Sequence, residues 1–453
     1  MHMPPRTDQE PIVATSPAPG QAFSSQAALL WQRLAPHRWP LPLNAWPAGT
    51  ALVGGAVRDG LLDRLAEKPD LDLVVPGDGI ALAKGWAKRH GGTCVVLDPE
   101  RQIARWVIKG WTIDVARQEG ASLEADLGRR DFTINAIALP LPQGAGQGDG
   151  APLEAALVDP TGGLRHLEQR QLVAVQEANL RDDPLRLLRG LRLAAELNFE
   201  LEAESRTWIS RHAHLLAAVA GERVLAELEK LAAAPQGHRG LQDCLALGLL
   251  EPWGADPKAS QALGHLDPAS ATARGLQPEE QAWALPLARL ACLLDSQGLV
   301  ALRSSRRLQQ RCRSLRRWQG SPVQGECAAH ATNEHELLEL HQSVEADLPA
   351  LVLHLSVVEA QAALRRWRDP GDPLFHPRPP IDGQTLQQQL GLAPGRQLGA
   401  LLHNLTLEHA FGRLPSGPAP DALAAVLAAA NQWLAEQAAG NAKEAEKPAI
   451  PTP

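Results

Sequence analysis

The alternation of carboxylates and leucines at residues 70–73 (DLDL) is the feature that most constrains the fold. Alternate side chains of a β-strand share a face, so Asp70 and Asp72 point to one side while Leu71 and Leu73 point into a core. Carboxylates held side by side repel each other, and a bridging divalent cation such as Mg²⁺ removes that cost. An isolated pair of this kind is more typical of solvated loop aspartates, so the neighbouring sequence must decide between the two interpretations.

Two neighbouring segments favour a metal site that handles phosphate. Asp114 lies in a second strand-like run, residues 112–115, and is a candidate third metal ligand. Residues 54–59 (GGAVRD) precede the acidic pair by a turn and a helix. Glycines before a helix start allow backbone N–H groups to approach phosphate closely, and Arg58 adds a fixed cation.

Strand and helix signals divide the chain into a mixed first part and a helical remainder. Apolar or alternating runs predict strands at residues 71–75, 94–97, 106–108, 112–115 and 134–141. After residue 163, apolar residues recur at helical spacing. The glycine-rich run 144–150 is followed by neither a helix start nor a Lys-Ser/Thr pair, which favours a surface linker over a phosphate loop.

The predicted domain boundaries follow from these signals and from proline-rich breaks. They give a partly disordered leader at 1–50, a head at 51–175, a helical neck at 176–255, a helical body at 256–369, a helical tail at 370–438 and a disordered terminus at 439–453. The predicted fold class is therefore α+β, with a small mixed sheet in the head followed by an all-α neck, body and tail.

The composition excludes several classes of protein. No apolar run reaches the roughly 20 residues of a membrane span, and the start lacks the apolar core of a signal peptide, so we expect a cytoplasmic protein. The cysteines are odd in number and form no CxxC pair, so neither a disulfide framework nor a zinc site is indicated; they are Cys94, Cys244, Cys292, Cys312 and Cys327. The net charge of −7 is compatible with a nucleic-acid partner, because a local concentration of positive charge is enough to attract a polyanion.

One such concentration lies in the second half of the chain. Few acids are near it in the sequence, so a purely structural salt-bridge role is disfavoured, and we interpret it as a track for RNA phosphates. It consists of Arg303, Arg306, Arg307, Arg311, Arg313, Arg316 and Arg317. A second cluster, Arg365, Arg366 and Arg368, fits an extension of this track and a solvated surface about equally well.

Five motifs in order resemble those of the class II tRNA nucleotidyltransferases and bacterial poly(A) polymerases, a family within the polymerase β superfamily. Residues 54–59 with the acidic pair resemble the first motif, and residues 129–136 (RRDFTINA) resemble the second. Residues 159–163 (DPTGG) resemble the hinge motif and residues 182–186 (DDPLR) the base-reading motif. Glu222, Arg223 and Glu227 resemble the fifth motif. The resemblance implies a polymerase β-like head and template-independent addition of C or A to the 3′ end of an RNA, chiefly tRNA.

The resemblance also implies roles for individual residues. A 3′-hydroxyl attacks the α-phosphate of CTP or ATP and pyrophosphate leaves, with Mg²⁺ held by Asp70 and Asp72 and Asp114 as the third catalytic carboxylate. The implied nucleotide-binding residues are Gly54, Gly55, Arg58, Asp59, Arg130, Asp131, Asn135, Asp183, Arg186 and Arg189.

Base selection is assigned to Asp183 and Arg186. Cytosine and adenine each present an amino donor beside a ring-nitrogen acceptor, which matches a carboxylate acceptor and a guanidinium donor, whereas uracil and guanine invert that pattern. The two residues are three positions apart, so they are predicted to share one helix face with Arg189. The structural alternative is a plain surface salt bridge.

The distance between the first two motifs bears on which nucleotides are added. Only residues 115–128 separate Asp114 from Arg129, whereas family members that build the whole CCA end usually carry a longer flexible loop there. A CC-adding enzyme is therefore favoured over a full CCA-adding enzyme, with poly(A) polymerase third. A catalytically inactive tRNA-binding protein is the alternative from another class, and the intact acidic pair argues against it. The sequence does not indicate an oligomeric state.

Overall fold

The computed structural model describes residues 19–142, 156–319, 333–415 and 420–445. The chain divides into two compact units, Met1–Leu215 and Leu216–Pro453. Three features predicted from the sequence lie outside the described residues: the glycine-rich run 144–150, the first 18 residues of the leader, and Cys327.

A six-stranded mixed sheet forms the centre of the first unit. Its strand order is β3-β4-β5-β2-β1-β6, and only the β2–β5 pair is parallel. The strands are β1 (Ala51–Val53), β2 (Leu71–Val75), β3 (Thr93–Asp98), β4 (Ile103–Ile108), β5 (Trp111–Arg117) and β6 (Ala138–Pro140). A separate parallel pair of two-residue strands consists of β7 (Gln171–Leu172) and β8 (Glu200–Leu201). Leu71 and Leu73 are buried, as the alternation of residues 70–73 predicts.

Two sequence predictions about secondary structure are wrong in the first unit. The run 134–141 contributes only β6, because Thr133–Asn135 forms a 3₁₀ turn that still buries Ile134. A short apolar run fits a buried turn as well as a buried strand, so periodicity does not separate the two. The part of the chain after residue 163 is not purely helical, since β7 and β8 lie there.

Helices cover the sheet of the first unit and extend beyond it. They are α1 (Pro19–Leu34), α2 (Gly55–Leu61), α3 (Gly79–His90), α4 (Leu123–Leu127), α5 (Gly163–Glu168), α6 (Glu177–Asp182), α7 (Leu185–Leu197) and α8 (Ala203–His212). Helix α1 lies in the predicted leader and is joined to α2 by Arg33, whose Nη1 donates to the Gly60 carbonyl at 2.8 Å. A series of tryptophan rings with neighbouring centroids 4.9–6.2 Å apart runs from α1 to the sheet: Trp31, Trp39, Trp46, Trp86 and Trp106. Burial of these rings stabilises the packing of Trp31, Trp39 and Trp46 of the predicted leader.

The described part of the second unit is helical. Its α-helices are α9 (Gly221–Ala233), α10 (Gly237–Ala246), α11 (Ala259–Gly264), α12 (Pro268–Ala273), α13 (Pro278–Leu293), α14 (Ser296–Ala301), α15 (Arg306–Trp318), α16 (Glu334–Val344), α17 (Leu348–Leu351), α18 (Val357–Trp367), α19 (Gly383–Leu390), α20 (Arg396–Ala410) and α21 (Pro420–Ala445). Helix α21 extends past residue 439, where the composition predicts disorder, because its alanine-rich sequence has a high helix propensity. None of the helices within the described ranges is both long and apolar enough to cross a membrane.

Candidate active site

One row of residues across the sheet brings the predicted acids together. In the register of the sheet, Arg105 on β4 lies opposite Asp114 on β5, and Asp114 lies opposite Asp72 on β2. Paired residues of neighbouring strands point to the same face, so the three side chains share it. Asp70 immediately precedes β2 and is two residues from Asp72, on the same side. The position of Asp114 beside the acidic pair agrees with the sequence prediction.

Asp72 is a buried carboxylate with other carboxylates nearby, and both features raise its pKa. Burial raises its pKa to about 6, and the neighbouring carboxylates of Asp114 and Asp70 contribute to the rise. The positive charge of Arg130 and a hydrogen bond from the Gly55 backbone N–H oppose it. A divalent cation bound at these oxygens would remove the cost of ionising Asp72, so the donor set fits such an ion.

The third acid is engaged by an arginine. The Asp114 Oδ1 accepts from Arg105 Nε at 2.8 Å, and Oδ2 accepts from Arg105 Nη2 at 2.8 Å. Across the described ranges, no group of three His, Cys, Asp or Glu side chains is arranged to hold a metal ion. Asp114 therefore lies beside the acidic pair, but both of its carboxylate oxygens are already paired with a guanidinium.

The turn before α2 can be built only with glycine. Gly54 has φ 71°, and a Cβ added to it would lie 2.8 Å from Asp72 Oδ2. A side chain at this position would therefore be strained by the backbone and would also displace the carboxylate. The absence of a side chain lets the backbone that carries Gly55 approach Asp72 closely.

A buried polar chain runs behind this turn. Arg58 is buried, and it donates to both carboxylate oxygens of Asp59 at 2.9 Å and to Asn135 Oδ1 at 2.8 Å. Asn135 Nδ2 donates to Asp131 Oδ1 at 3.2 Å, and Arg189 Nη1 lies 3.4 Å from Asp131 Oδ2. The chain thus joins the first, second and base-reading motifs of the sequence.

The pKa of Asp131 reflects this chain. Burial alone would raise its pKa, but the charge of Arg189, the hydrogen bond from Asn135 and the charge of Arg186 together lower it. The backbone N–H of Phe132 also donates to Oδ1 at 2.8 Å. Asp131 is therefore ionised at neutral pH and is held by donors on several sides.

The two arginines of the second motif, Arg129 and Arg130, each form an ion pair. Arg130 pairs with Asp126 at 3.1 Å rather than with Asp131, and its buried Nε has no hydrogen-bond partner among the described residues. Arg129 pairs with Glu119 at 2.7 Å. Both arginines are therefore paired with acids of the segment that precedes the second motif.

The base-reading residues do not share a helix face. Asp183 lies in an extended conformation between α6 and α7, because the proline that follows it disfavours a helical residue at this position. Arg186 and Arg189 lie on α7, and Arg186 Nη1 donates to the carbonyls of Arg129 at 2.9 Å and Asn179 at 3.1 Å. Arg186 Nε is 4.0 Å from Asp183 Oδ2, and the two side chains are only 16% and 18% exposed. The i,i+3 ion pair of the structural alternative is therefore present, but it is long and mostly buried rather than on an open surface.

The hinge motif is fixed to the second motif. Asp159 caps the start of α5, with Oδ1 accepting from the Gly163 N–H at 2.7 Å and Oδ2 from the Leu164 N–H at 2.9 Å. The His166 ring Nδ1 lies 2.8 Å from Thr133 Oγ1, next to the turn that carries Asn135. Burial and the charge of Arg165 lower the pKa of His166, so the ring is neutral at pH 7.

Arg105 and Asn179 are among the residues of the site that the sequence predictions do not contain. Asn179 is buried and donates to the carbonyls of Gly128 at 2.9 Å and Arg130 at 2.8 Å, and no sequence signal points to it. Arg105 pairs with Asp114 because residues 109–110 form a two-residue turn, and the sequence signal for that turn is Gly110 between two strand-like runs.

The basic cluster of the second unit is partly neutralised. Arg303 pairs with Glu222 of the fifth motif at 2.9 Å, Arg311 with Asp347 at 2.7 Å, and Arg317 with Glu339. Arg316 donates to the Leu294 carbonyl at 2.6 Å. The premise that few acids are nearby is wrong, because the fold brings in acids that are distant in sequence.

Three exposed arginines of the cluster are not neutralised by a described residue. Arg306, Arg307 and Arg313 form no ion pair with another residue in the described part of the chain. In the second cluster, Arg366 pairs with Asp372 at 2.7 Å and Arg368 with Glu280 at 2.5 Å, which favours the interpretation as a surface with structural ion pairs.

Comparisons with known proteins agree with this site. Residues 50–173 match the family model described as the poly A polymerase head domain, and residues 198–254 match the model described as the probable RNA and SrmB-binding site of polymerase A. The CC-adding tRNA nucleotidyltransferase of Synechocystis sp. is 35% identical over 400 residues, which cover 83% of this chain and 92% of the relative. The CC-adding tRNA nucleotidyltransferase of Geobacter sulfurreducens is 33% identical over 406 residues, which cover 81% of this chain and 89% of the relative.

A solved structure shows the same fold. The Bacillus stearothermophilus CCA-adding enzyme in complex with CTP aligns with a TM-score of 0.62 at 21% identity, covering 93% of this chain and 98% of that one. The motifs and the relatives, which are 33–35% identical over 81–83% of the chain, lead to one conclusion. The chain belongs to the family of tRNA nucleotidyltransferases and bacterial poly(A) polymerases.

Proposed function

We propose that the protein transfers CMP from CTP to the 3′ end of tRNA that lacks its CCA terminus, and that it stops after two additions. The observation that carries this proposal is the position of the first motif. Its Gly55 N–H bonds to Asp72 of the acidic row, which consists of Asp70, Asp72 and Asp114. Its Arg58 begins the polar chain that continues through Asn135 and Asp131 to Arg189. The names of two relatives, both CC-adding tRNA nucleotidyltransferases, support the choice of substrate. Such a substrate places the reaction in the cytoplasm.

Asp70 and Asp72 are the residues that would hold a divalent cation, Mg²⁺ in the cell. When bound, the ion lowers the pKa of the attacking 3′-hydroxyl and neutralises the charge of the departing pyrophosphate. The raised pKa of Asp72 supports this assignment, because a carboxylate that is costly to ionise alone gains most from a cation.

The protein's own groups would hold the nucleotide. Arg130 lies close enough to Asp72 to lower its pKa and has an unpartnered Nε, so we assign it to the phosphates. Asp131 and Asn135 are assigned to the ribose, where an ionised carboxylate accepts from a 2′-hydroxyl. Arg58 has its Nε and both terminal nitrogens engaged and is buried, so it acts on the nucleotide through Asn135 rather than by direct contact.

Asp183 and Arg186 are assigned to base selection. Their carboxylate and guanidinium offer the acceptor and donor that cytosine requires, and uracil presents the opposite arrangement. The two backbone carbonyls that accept from Arg186 fix its guanidinium before any base arrives. A preformed site of this kind selects a nucleotide without a template.

The restriction to two additions is supported by the segment between the first two motifs. After β5 ends at Arg117, the Gln118 N–H donates to the Val75 carbonyl at 2.7 Å and the Glu119 N–H donates to Asp126 Oδ1 at 2.9 Å. Helix α4 takes up residues 123–127. Few residues between β5 and the second motif are left free to move as a lever between C and A addition. We therefore propose that the base pocket stays selective for CTP.

Contact with RNA phosphates is assigned to Arg306, Arg307 and Arg313. These side chains are exposed, and their charges are not neutralised by other described residues. Phosphate contacts of this type hold an RNA without reading its sequence. The other four arginines of the cluster are assigned to stabilising the second unit.

The test of the reaction is CMP incorporation into a tRNA transcript that ends before the CCA, with Mg²⁺ and radiolabelled CTP. The wild-type protein is expected to label the transcript, and Asp70→Asn is expected to reduce labelling to background while tRNA affinity is retained. Glu100→Gln removes an exposed carboxylate of the same unit and serves as the control that keeps full activity. Absence of labelling by the wild-type protein, with tRNA binding intact, would instead support a catalytically inactive tRNA-binding protein.

A further inference from the structure

Arg105 is held opposite Asp114 by the geometry of a hairpin. The turn between β4 and β5 consists of Lys109 and Gly110, with φ 49° and 81°, and it fixes the register in which residue 105 pairs with residue 114. Both oxygens of the Asp114 carboxylate accept from the guanidinium at 2.8 Å. The Arg105 side chain is 41% exposed and that of Asp114 is 21% exposed, so both can be reached from solvent.

The charge of Arg105 acts on the whole acidic row. Its hydrogen bond to Asp114 raises its pKa, and the carboxylates of Asp70 and Asp72 add to the rise. The guanidinium therefore lies within electrostatic reach of all three acids. It supplies the positive charge that a divalent cation would otherwise supply at the same place.

We propose that Arg105 is a positioning residue that occupies Asp114 as a built-in counter-cation, so that a divalent cation gains this carboxylate only by displacing the guanidinium. The proposal rests on the proposed function, since it assumes that the acidic row binds a divalent cation. The ion pair keeps the metal-free row from being a cluster of unbalanced negative charge. It also lowers the affinity of the row for the metal.

The test measures Mn²⁺ binding to the nucleotide-free protein by electron paramagnetic resonance, which detects the free ion. Arg105→Met is expected to tighten Mn²⁺ binding about tenfold, because an opposite charge at this distance shifts a carboxylate equilibrium by one decade or more. Arg105→Lys keeps the charge but cannot make the two-pronged contact, so it is expected to give a smaller gain. Arg89→Met removes an exposed arginine whose Nε donates to the Gly85 carbonyl of its own helix, and is the matched control with unchanged affinity.

A second pair of variants separates this mechanism from a general charge effect. In an Asp114→Asn background, the gain from Arg105→Met is expected to fall to less than half of its size, since the carboxylate that it releases is gone. The proposal is overturned if both Arg105 variants bind Mn²⁺ with wild-type affinity, or if the gain is equally large without Asp114. Should Arg105→Met fail to fold, the Mn²⁺ affinity of Arg105→Lys is compared with that of the wild type, with and without Asp114→Asn, and tests the proposal in the same way. CMP incorporation by the wild-type protein is measured in parallel, so that failure of the proposed function is seen independently of Mn²⁺ affinity.

Discussion

At the residue scale, Asp72 combines a functional role with a cost to stability. Its pKa in the folded protein is about 6, above the 3.8 of an ordinary aspartate. The folded state therefore binds this proton more tightly than the unfolded state does. The stability that the group contributes is present below pH 3.8 and is lost as the pH rises through about 6.

We predict that Asp72→Asn stabilises the metal-free protein while abolishing activity. The amide removes the charged form, so the free energy of unfolding at pH 7 is expected to rise by about 1–3 kcal/mol, with little change at pH 4. Urea unfolding in EDTA at the two pH values measures this difference. Equal destabilisation at pH 4 and pH 7 would show that the site does not penalise the charged carboxylate.

We predict that Asp183→Asn weakens the discrimination between CTP and UTP. The asparagine amide can turn its donor towards the uracil O4, so the ratio of kcat/KM values for CTP and UTP is expected to fall on the order of tenfold or more. Steady-state kinetics on a tRNA transcript measure this ratio. Asp182→Asn alters the exposed neighbour and serves as the control, and an unchanged ratio for Asp183→Asn would remove it from base selection.

At the element scale, the sequence predicts strands where alternation is strict and fails where local sterics or long-range pairing decides. Strand β2 spans the predicted residues, and the DLDL alternation predicts which side chains are buried. The helix face proposed for Asp183 is wrong, because Pro184 separates Asp183 from α7. The Arg105–Asp114 pair is absent from the sequence predictions, because it follows only when the turn at residues 109–110 sets the register of β4 and β5.

That turn gives a prediction of its own. Both of its residues have positive φ, which suits glycine and asparagine but strains lysine. Lys109→Asn is expected to raise the free energy of unfolding by about 0.4–1 kcal/mol, and Gly110→Ala is expected to lower it by about 1 kcal/mol. Urea unfolding tests both, with Gly77→Ala as a control because nothing lies near its added Cβ. Stabilisation by Gly110→Ala would contradict this interpretation of the turn.

At the scale of the whole molecule, the sequence predicts the architecture better than the boundaries or the ion pairs. The α+β class with a mixed-sheet head is confirmed. The boundary between the two compact units falls between residues 215 and 216 of the chain, inside the predicted neck at 176–255. The division into neck, body and tail therefore stays a prediction. The partners of Arg303, Arg311 and Arg317 lie 22 to 81 residues away along the chain, a distance at which no sequence pattern reveals them.

We predict that the exposed arginines of the second unit contribute to tRNA affinity through phosphates. Arg306→Gln with Arg313→Gln is expected to weaken binding, and the slope of log affinity against log salt concentration is expected to fall by about 1 for each phosphate that is no longer neutralised. Filter binding over a series of salt concentrations measures the slope. Arg239→Gln removes an exposed arginine of the same unit and is the control, and an unchanged slope in the double variant would remove the phosphate assignment.

We expect the protein to add two C residues to tRNA and no A. The most direct measurement is to incubate it with CTP, ATP and Mg²⁺ and a tRNA transcript that ends before the CCA, and then to sequence the 3′ ends of the products. We expect transcripts that end in CC and stay at that length when more ATP is supplied. Transcripts that end in CCA or in a run of A would contradict the claim.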